Sequence, residues 1–126
     1  MRKFVLAVSL SALAALACGC KHPGAKLEGR WRGTRASGVT PAVQDAASAF
    51  ATQTEIVARG RLISVTTPTS KAPPTNFIVD EETKTKLVLH ADKDGAKETF
   101  TFADDGKTMS WRVGDNAAIV FAKQKD

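Results

Sequence analysis

The chain has 126 residues, of which 25% are charged and 43% apolar, and a formal charge of +5. Those proportions are ordinary for a soluble globular protein and exclude both a disordered polymer and a body that spans a membrane. The cationic surplus is spread along the chain and falls to +3 once Arg2 and Lys3 are set aside. That excludes a nucleic-acid footprint and leaves at most weak attraction to anionic headgroups.

Met1-Arg2-Lys3 forms a short positive start, and residues 4–17 are apolar apart from Ser9 and Ser11. Such a stretch has the length of a signal peptide and falls short of the roughly 20 residues that span a bilayer. It ends in Leu16-Ala17-Cys18-Gly19-Cys20, small residues running into cysteine, and both cysteines of the chain lie here. This boundary resembles the lipobox of bacterial lipoproteins, in which a cysteine after small residues is diacylated. Mapped onto Cys20, the pattern places Gly19 just before the cut. Mapped onto Cys18 it gives Ala15-Leu16-Ala17, a poorer fit, and an ordinary secretory cut is the remaining alternative. The expected organisation is a signal peptide over 1–19, an acylated Cys20 with its tether over 20–25, and one domain over 26–126. By the same resemblance, Lys21 stands where inner-membrane lipoproteins often carry Asp, so the expected address is the periplasmic side of the outer membrane. Two or more acyl chains make such anchoring stable. Cys18-Gly19-Cys20-Lys21-His22 has the wrong spacing for covalent haem attachment.

After the tether, residues 26–34 alternate: Leu27, Gly29, Trp31 and Gly33 share one face and charged or polar residues the other, the pattern of a half-buried strand. Thr40-Pro41 is a helix start, with Thr as N-cap and Pro in the first turn. Val43, Ala46, Ala47, Phe50 and Ala51 then predict an apolar stripe on a helix of about 11 residues, with Gln44, Asp45 and Ser48 outward. Strands are expected over 53–59 and 61–67, flanking a tight turn at Gly60. Residues 68–74, with Pro68, Pro73 and Pro74, read as a loop. Further strands are expected over 76–80, 84–91, 97–102, 107–113 and 117–123, separated by Asp- and Gly-rich turns. Eight strands at this spacing predict an all-β, mainly antiparallel barrel or sandwich, with one short helix between strands 1 and 2.

Eight meandering strands opened by Gly29-Arg30-Trp31 resemble the lipocalin-like superfamily, whose G-x-W tryptophan plugs the closed end of a barrel. The helix after the first strand is similar in position to the helical insert of fatty-acid-binding proteins. The resemblance implies a barrel interior that holds a small apolar ligand, with Trp31, Phe77, Phe100, Phe102, Met109, Trp111 and Phe121 as candidate lining residues. The alternation also turns Leu27, Ile56, Val79, Leu87, Leu89 and Ile119 inward. An eight-stranded barrel is just wide enough to be filled by side chains or to hold one small ligand. So many bulky inward residues favour a filled or nearly filled core.

Catalytic chemistry is sparse. His22 in the tether and His90 on a strand are the only histidines, too few and too far apart for a nucleophile–base pair or a zinc site. Asp92-Lys93-Asp94-Gly95 begins like a calcium loop, but the position of the bidentate acid is Ala103, so it reads as a hairpin turn. Glu81-Glu82 lies in a charged turn. The sequence therefore predicts no enzyme, metal or cofactor. It predicts an envelope protein tied to the membrane by its lipid, with either a small apolar ligand or another envelope protein as its partner.

Overall fold

The computed structural model describes residues 22–92 and 95–125. The leader, Cys18 and Cys20 lie outside the described residues, as do Lys93 and Asp94. Nine strands form one antiparallel sheet: β1 (Gly29–Ser37), β2 (Glu55–Arg59), β3 (Leu62–Thr67), β4 (Ser70–Lys71), β5 (Thr75–Glu82), β6 (Lys86–Ala91), β7 (Lys97–Phe102), β8 (Thr108–Arg112) and β9 (Ala118–Lys123). The order is β2-β1-β9-β8-β7-β6-β5-β3-β4, and β2 also pairs with β3 along its length, which closes eight strands into a barrel. Closure abolishes the exposed sheet edges that an open sheet of this size would leave. The two-residue β4 folds back on β3 within the segment expected to be a loop, pairing Thr66 with Lys71 and Thr67 with Ser70. The narrowest seam is β3–β5, where only Leu62↔Asn76 and Ile63↔Thr75 face one another. Gly60 takes φ 62° between β2 and β3, a left-handed value that a side chain would strain.

The barrel has two unlike ends. At one end a single 3-10 turn, Ala25–Leu27, crosses the opening before β1. Leu27 is fully buried, and its carbonyl accepts a hydrogen bond from Trp31 Nε1 at 2.8 Å. The Gly24 amide donates to Glu82 Oε1 at 3.1 Å, and Lys26 Nζ donates to the carbonyls of Thr83 and Lys84, which ties the turn to the far wall. Trp31 has no exposed surface and meets Phe102 edge-to-face, with ring centroids 5.9 Å apart. Ile56, Phe77, Leu87, Met109 and Phe121 fill the space around it. This end is sealed.

The other end carries the helix. Its first turn, Pro41–Val43, is 3-10, and α1 proper is Gln44–Thr52. Thr40 occupies the N-cap with extended backbone, although its side chain makes no capping bond. The expected stripe is only partly buried: Ala51 is inside and Ala47 half-buried, whereas Val43, Ala46 and Phe50 are exposed. Gln44 and Ser48, expected outward, turn inward instead. Gln44 Nε2 donates to the Ala36 carbonyl and to Ser48 Oγ, both at 2.9 Å, and the Ala36 amide donates to Ser48 Oγ at 3.3 Å. The reason is a backbone requirement. β1 pairs with β2 only over Gly29–Arg32, so beyond Arg32 its outer edge has no strand beside it. The polar face of α1 supplies the missing partners, because buried main-chain groups demand them. Gly33 completes the dock: its amide donates to the Thr54 carbonyl at 2.9 Å. Its lack of a side chain lets the Ala51 carbonyl come close, since a β-carbon there would lie 2.7 Å from the carbonyl carbon.

Candidate functional site

Two clefts open among the side chains at the helix-bearing end of the barrel. The first, of about 350 Å³, is lined by Ala36, Val39, Ala47, Phe50, Thr67, Trp111, Val113, Ala117, Ala118 and Ile119. Among the described lining residues, Thr67 supplies the only hydroxyl. Phe50 on α1 and Val113 after β8 are 38% and 48% exposed, large apolar surfaces left open to solvent at its rim. The second, of about 170 Å³, lies over the short β3–β5 seam and is lined by residues of β3, β5, β6 and β7 with Ala72, Pro73, Ala96 and Trp111. Trp111 is common to both.

Each wall follows from strand alternation. Ile63, Val65 and Thr67 point inward from β3, Leu89 and Ala91 from β6, and Met109 and Trp111 from β8. Small side chains at Ala36, Ala47, Ala117 and Ala118 leave the space open, where bulkier ones would fill it. Trp111 stacks on Phe100 with centroids 6.2 Å apart and leans on Phe121 at 6.3 Å, so it forms the floor between the clefts and the packed half. Its indole Nε1 donates to Glu98 Oε1 at 2.9 Å. Glu98 is half-buried and faces inward from β7, opposite Leu89 of β6.

The seven aromatic and sulfur residues expected to line a cavity all turn inward, yet the structure divides them. Trp111 and Phe100 border the clefts. Trp31, Phe77, Phe102, Met109 and Phe121 pack in the sealed half, are almost completely buried and border neither cleft. Between the two tryptophans the axis is occupied by Phe100, Phe102, Met109 and Phe121, so the barrel is filled below Trp111 and open above it. Glu98 went unrecognised in the sequence, although it stands two residues before Phe100 and four before Phe102 and shares their face by the period-two rule.

The histidines lie elsewhere. His22 Nε2 is 3.5 Å from Glu28 beside the sealed end, and His90 Nδ1 is 2.8 Å from Asp80 Oδ2 on the outer wall. Cys20, the expected site of acylation, lies outside the described residues. Comparison with protein-family models, with curated proteins and with solved structures finds no match to this chain. What stands established is a closed eight-stranded antiparallel barrel with one short helix, sealed at one end and cleft at the other.

Proposed function

We propose that this chain is an envelope lipoprotein, acylated at Cys20 and facing the periplasm from the outer membrane, whose barrel holds a small apolar ligand at its open end. The observation that carries the ligand reading is the larger cleft: a wall apolar but for Thr67, rimmed by the exposed Phe50 and Val113. Concave apolar sites with few polar groups are the usual form of small-molecule sites. The anchor rests on the lipobox-like sequence alone. It predicts that the protein recovered from membranes begins at an acylated Cys20 by mass, and that Cys20→Ala is recovered unacylated with its leader still attached. Recovery of an unmodified cysteine at that position would refute it.

The ligand reading predicts saturable one-site binding of a neutral apolar fluorophore, N-phenyl-1-naphthylamine. Ala47→Trp fills the larger cleft from α1 and is expected to weaken the probe at least about tenfold, as the loss of most of an apolar contact surface would. Phe50→Ser, at an exposed rim position, is expected to weaken it several-fold while leaving the urea midpoint nearly unchanged. Binding that fails to saturate, or that ignores Ala47→Trp, would reject the cleft as a site. The packed lower half and the exposed Leu62 and Ile78 on the outer wall support the second reading, a barrel that meets another envelope protein through its outside. That reading would stand if the probe does not bind.

A further inference from the structure

The clefts are apolar, but the smaller one, which meets the larger at Trp111, has an ionisable group in its wall. Among the described residues that line either cleft, Glu98 is the sole ionisable side chain. It is held in place: Trp111 Nε1 donates to its Oε1 at 2.9 Å, and Trp111 is itself fixed by its stack on Phe100. Its second oxygen has no hydrogen-bond or ion-pair partner among the described residues. A carboxylate oxygen accepts and cannot donate when ionised. The second oxygen of this half-buried residue is therefore an unused acceptor, in a wall shared with Leu89, Phe100 and Trp111. Burial beside such surfaces strengthens whatever charge interaction is made there.

Resting on the reading of the clefts as a ligand site, we infer that the ligand is a small apolar amine. Its ammonium sits on the free oxygen of Glu98 and its hydrocarbon body lies over Trp111 into the larger cleft. A carboxylate-headed chain of the same length meets a like charge at the same place and is turned away. This preference runs against the rest of the molecule, whose cationic surplus draws anions and not amines by long-range attraction. A non-specific apolar surface on such a protein would favour the acid, so the sign of the preference is diagnostic.

The test is competition. Decylamine, decanoate and neutral decanol, each below its aggregation limit, are titrated against bound N-phenyl-1-naphthylamine on the purified protein at pH 7. Decylamine is expected to displace the probe at concentrations about tenfold below decanoate, the scale of a partly screened charge pair gained against one opposed. Glu98→Gln keeps an oxygen that accepts from Trp111 and removes the charge. It is expected to bring the amine-to-acid ratio, each chain being read against decanol on the same variant, close to one. Equal displacement by both chains in the unaltered protein overturns the inference, as does a ratio that survives Glu98→Gln, and in either case the clefts stand as an apolar site of another specificity. Failure of the unaltered protein to bind the probe at all overturns the inference together with the ligand reading beneath it.

Discussion

Replacing Trp31 by alanine is expected to destabilise the barrel by about 3–5 kcal/mol, the usual range for deleting a large aromatic from a packed core. A domain of this size has only about 5–15 kcal/mol in all, so the variant should be near or below the threshold of folding at 37 °C. The size of the effect follows from where the side chain sits. Trp31 is fully buried, its ring is capped by the Lys123 ammonium 5.6 Å from the centroid, and it packs edge-to-face against Phe102. It also satisfies the buried Leu27 carbonyl, which alanine would leave without a partner at a further cost. Trp31→Phe separates the two contributions, because it retains much of the ring volume and loses the indole donor. An intermediate loss of about 1–3 kcal/mol is expected from the orphaned carbonyl and the smaller ring. Urea unfolding followed by circular dichroism measures both. A Trp31→Ala protein that unfolds within 1 kcal/mol of the parent would show that the sealed end is not held as described.

Gly33→Ala is the second substitution of large expected effect, and its cause is geometric. Nothing about the backbone angles at Gly33 forbids a side chain, since it is not among the glycines with positive φ. The obstacle is the Ala51 carbonyl, packed where the methyl group would go. Main chain cannot rotate aside as a flexible side chain can, so β1 or α1 must move. Overpacking of this kind costs about 1–3 kcal/mol, and the upper part of that range is expected here, because the movement also stretches the Gly33–Thr54 hydrogen bond. Hydrogen exchange supplies the specific signature. The amides of Gly33 and Thr54 and those of α1 should exchange faster, while β6 and β7 on the opposite wall stay protected. Uniform loss of protection would instead indicate that the helix is not a separable unit.

Much of this architecture was legible because strands announce themselves by alternation. Trp31 and Gly33, then Leu87 with Leu89, Phe100 with Phe102, and Ile119 with Phe121, each fell on the face that the closed barrel buries, whereas Leu27, expected on the first strand, is buried from the 3-10 turn that precedes it. The Asp- and Gly-rich turns marked where the chain reverses. The helix was placed correctly along the chain but rotated wrongly about its own axis. Counting apolar residues assumes that a helix docks by its oily face, whereas α1 docks on the unpaired edge of β1, whose amide and carbonyl at Ala36 needed Ser48 and Gln44. That need arises from where β2 stops pairing, which no local pattern reveals. The site was hidden for a similar reason. Bulky residues signal the core, while a cleft is built from what is small, and Ala36, Ala47 and Ala117 looked unremarkable until the fold brought them together. Glu98 was disguised by its charge, which the eye assigns to solvent despite its place in register with Phe100.

The sealed and open ends also give the molecule a direction. The described chain enters at the sealed end, where His22 lies beside Glu28 and the Gly24 amide bonds to Glu82 at the end of β5. Residue 20 stands two positions earlier, a reach of about 7 Å at most. The six residues of β7 or β9 carry the wall roughly 20 Å from there to the other rim. An acyl group on Cys20 would thus moor the barrel by its base, like a cup standing on the leaflet. If the open end holds a ligand, that ligand would then exchange with the aqueous side, and extraction straight out of the bilayer beneath would require the whole barrel to tip over.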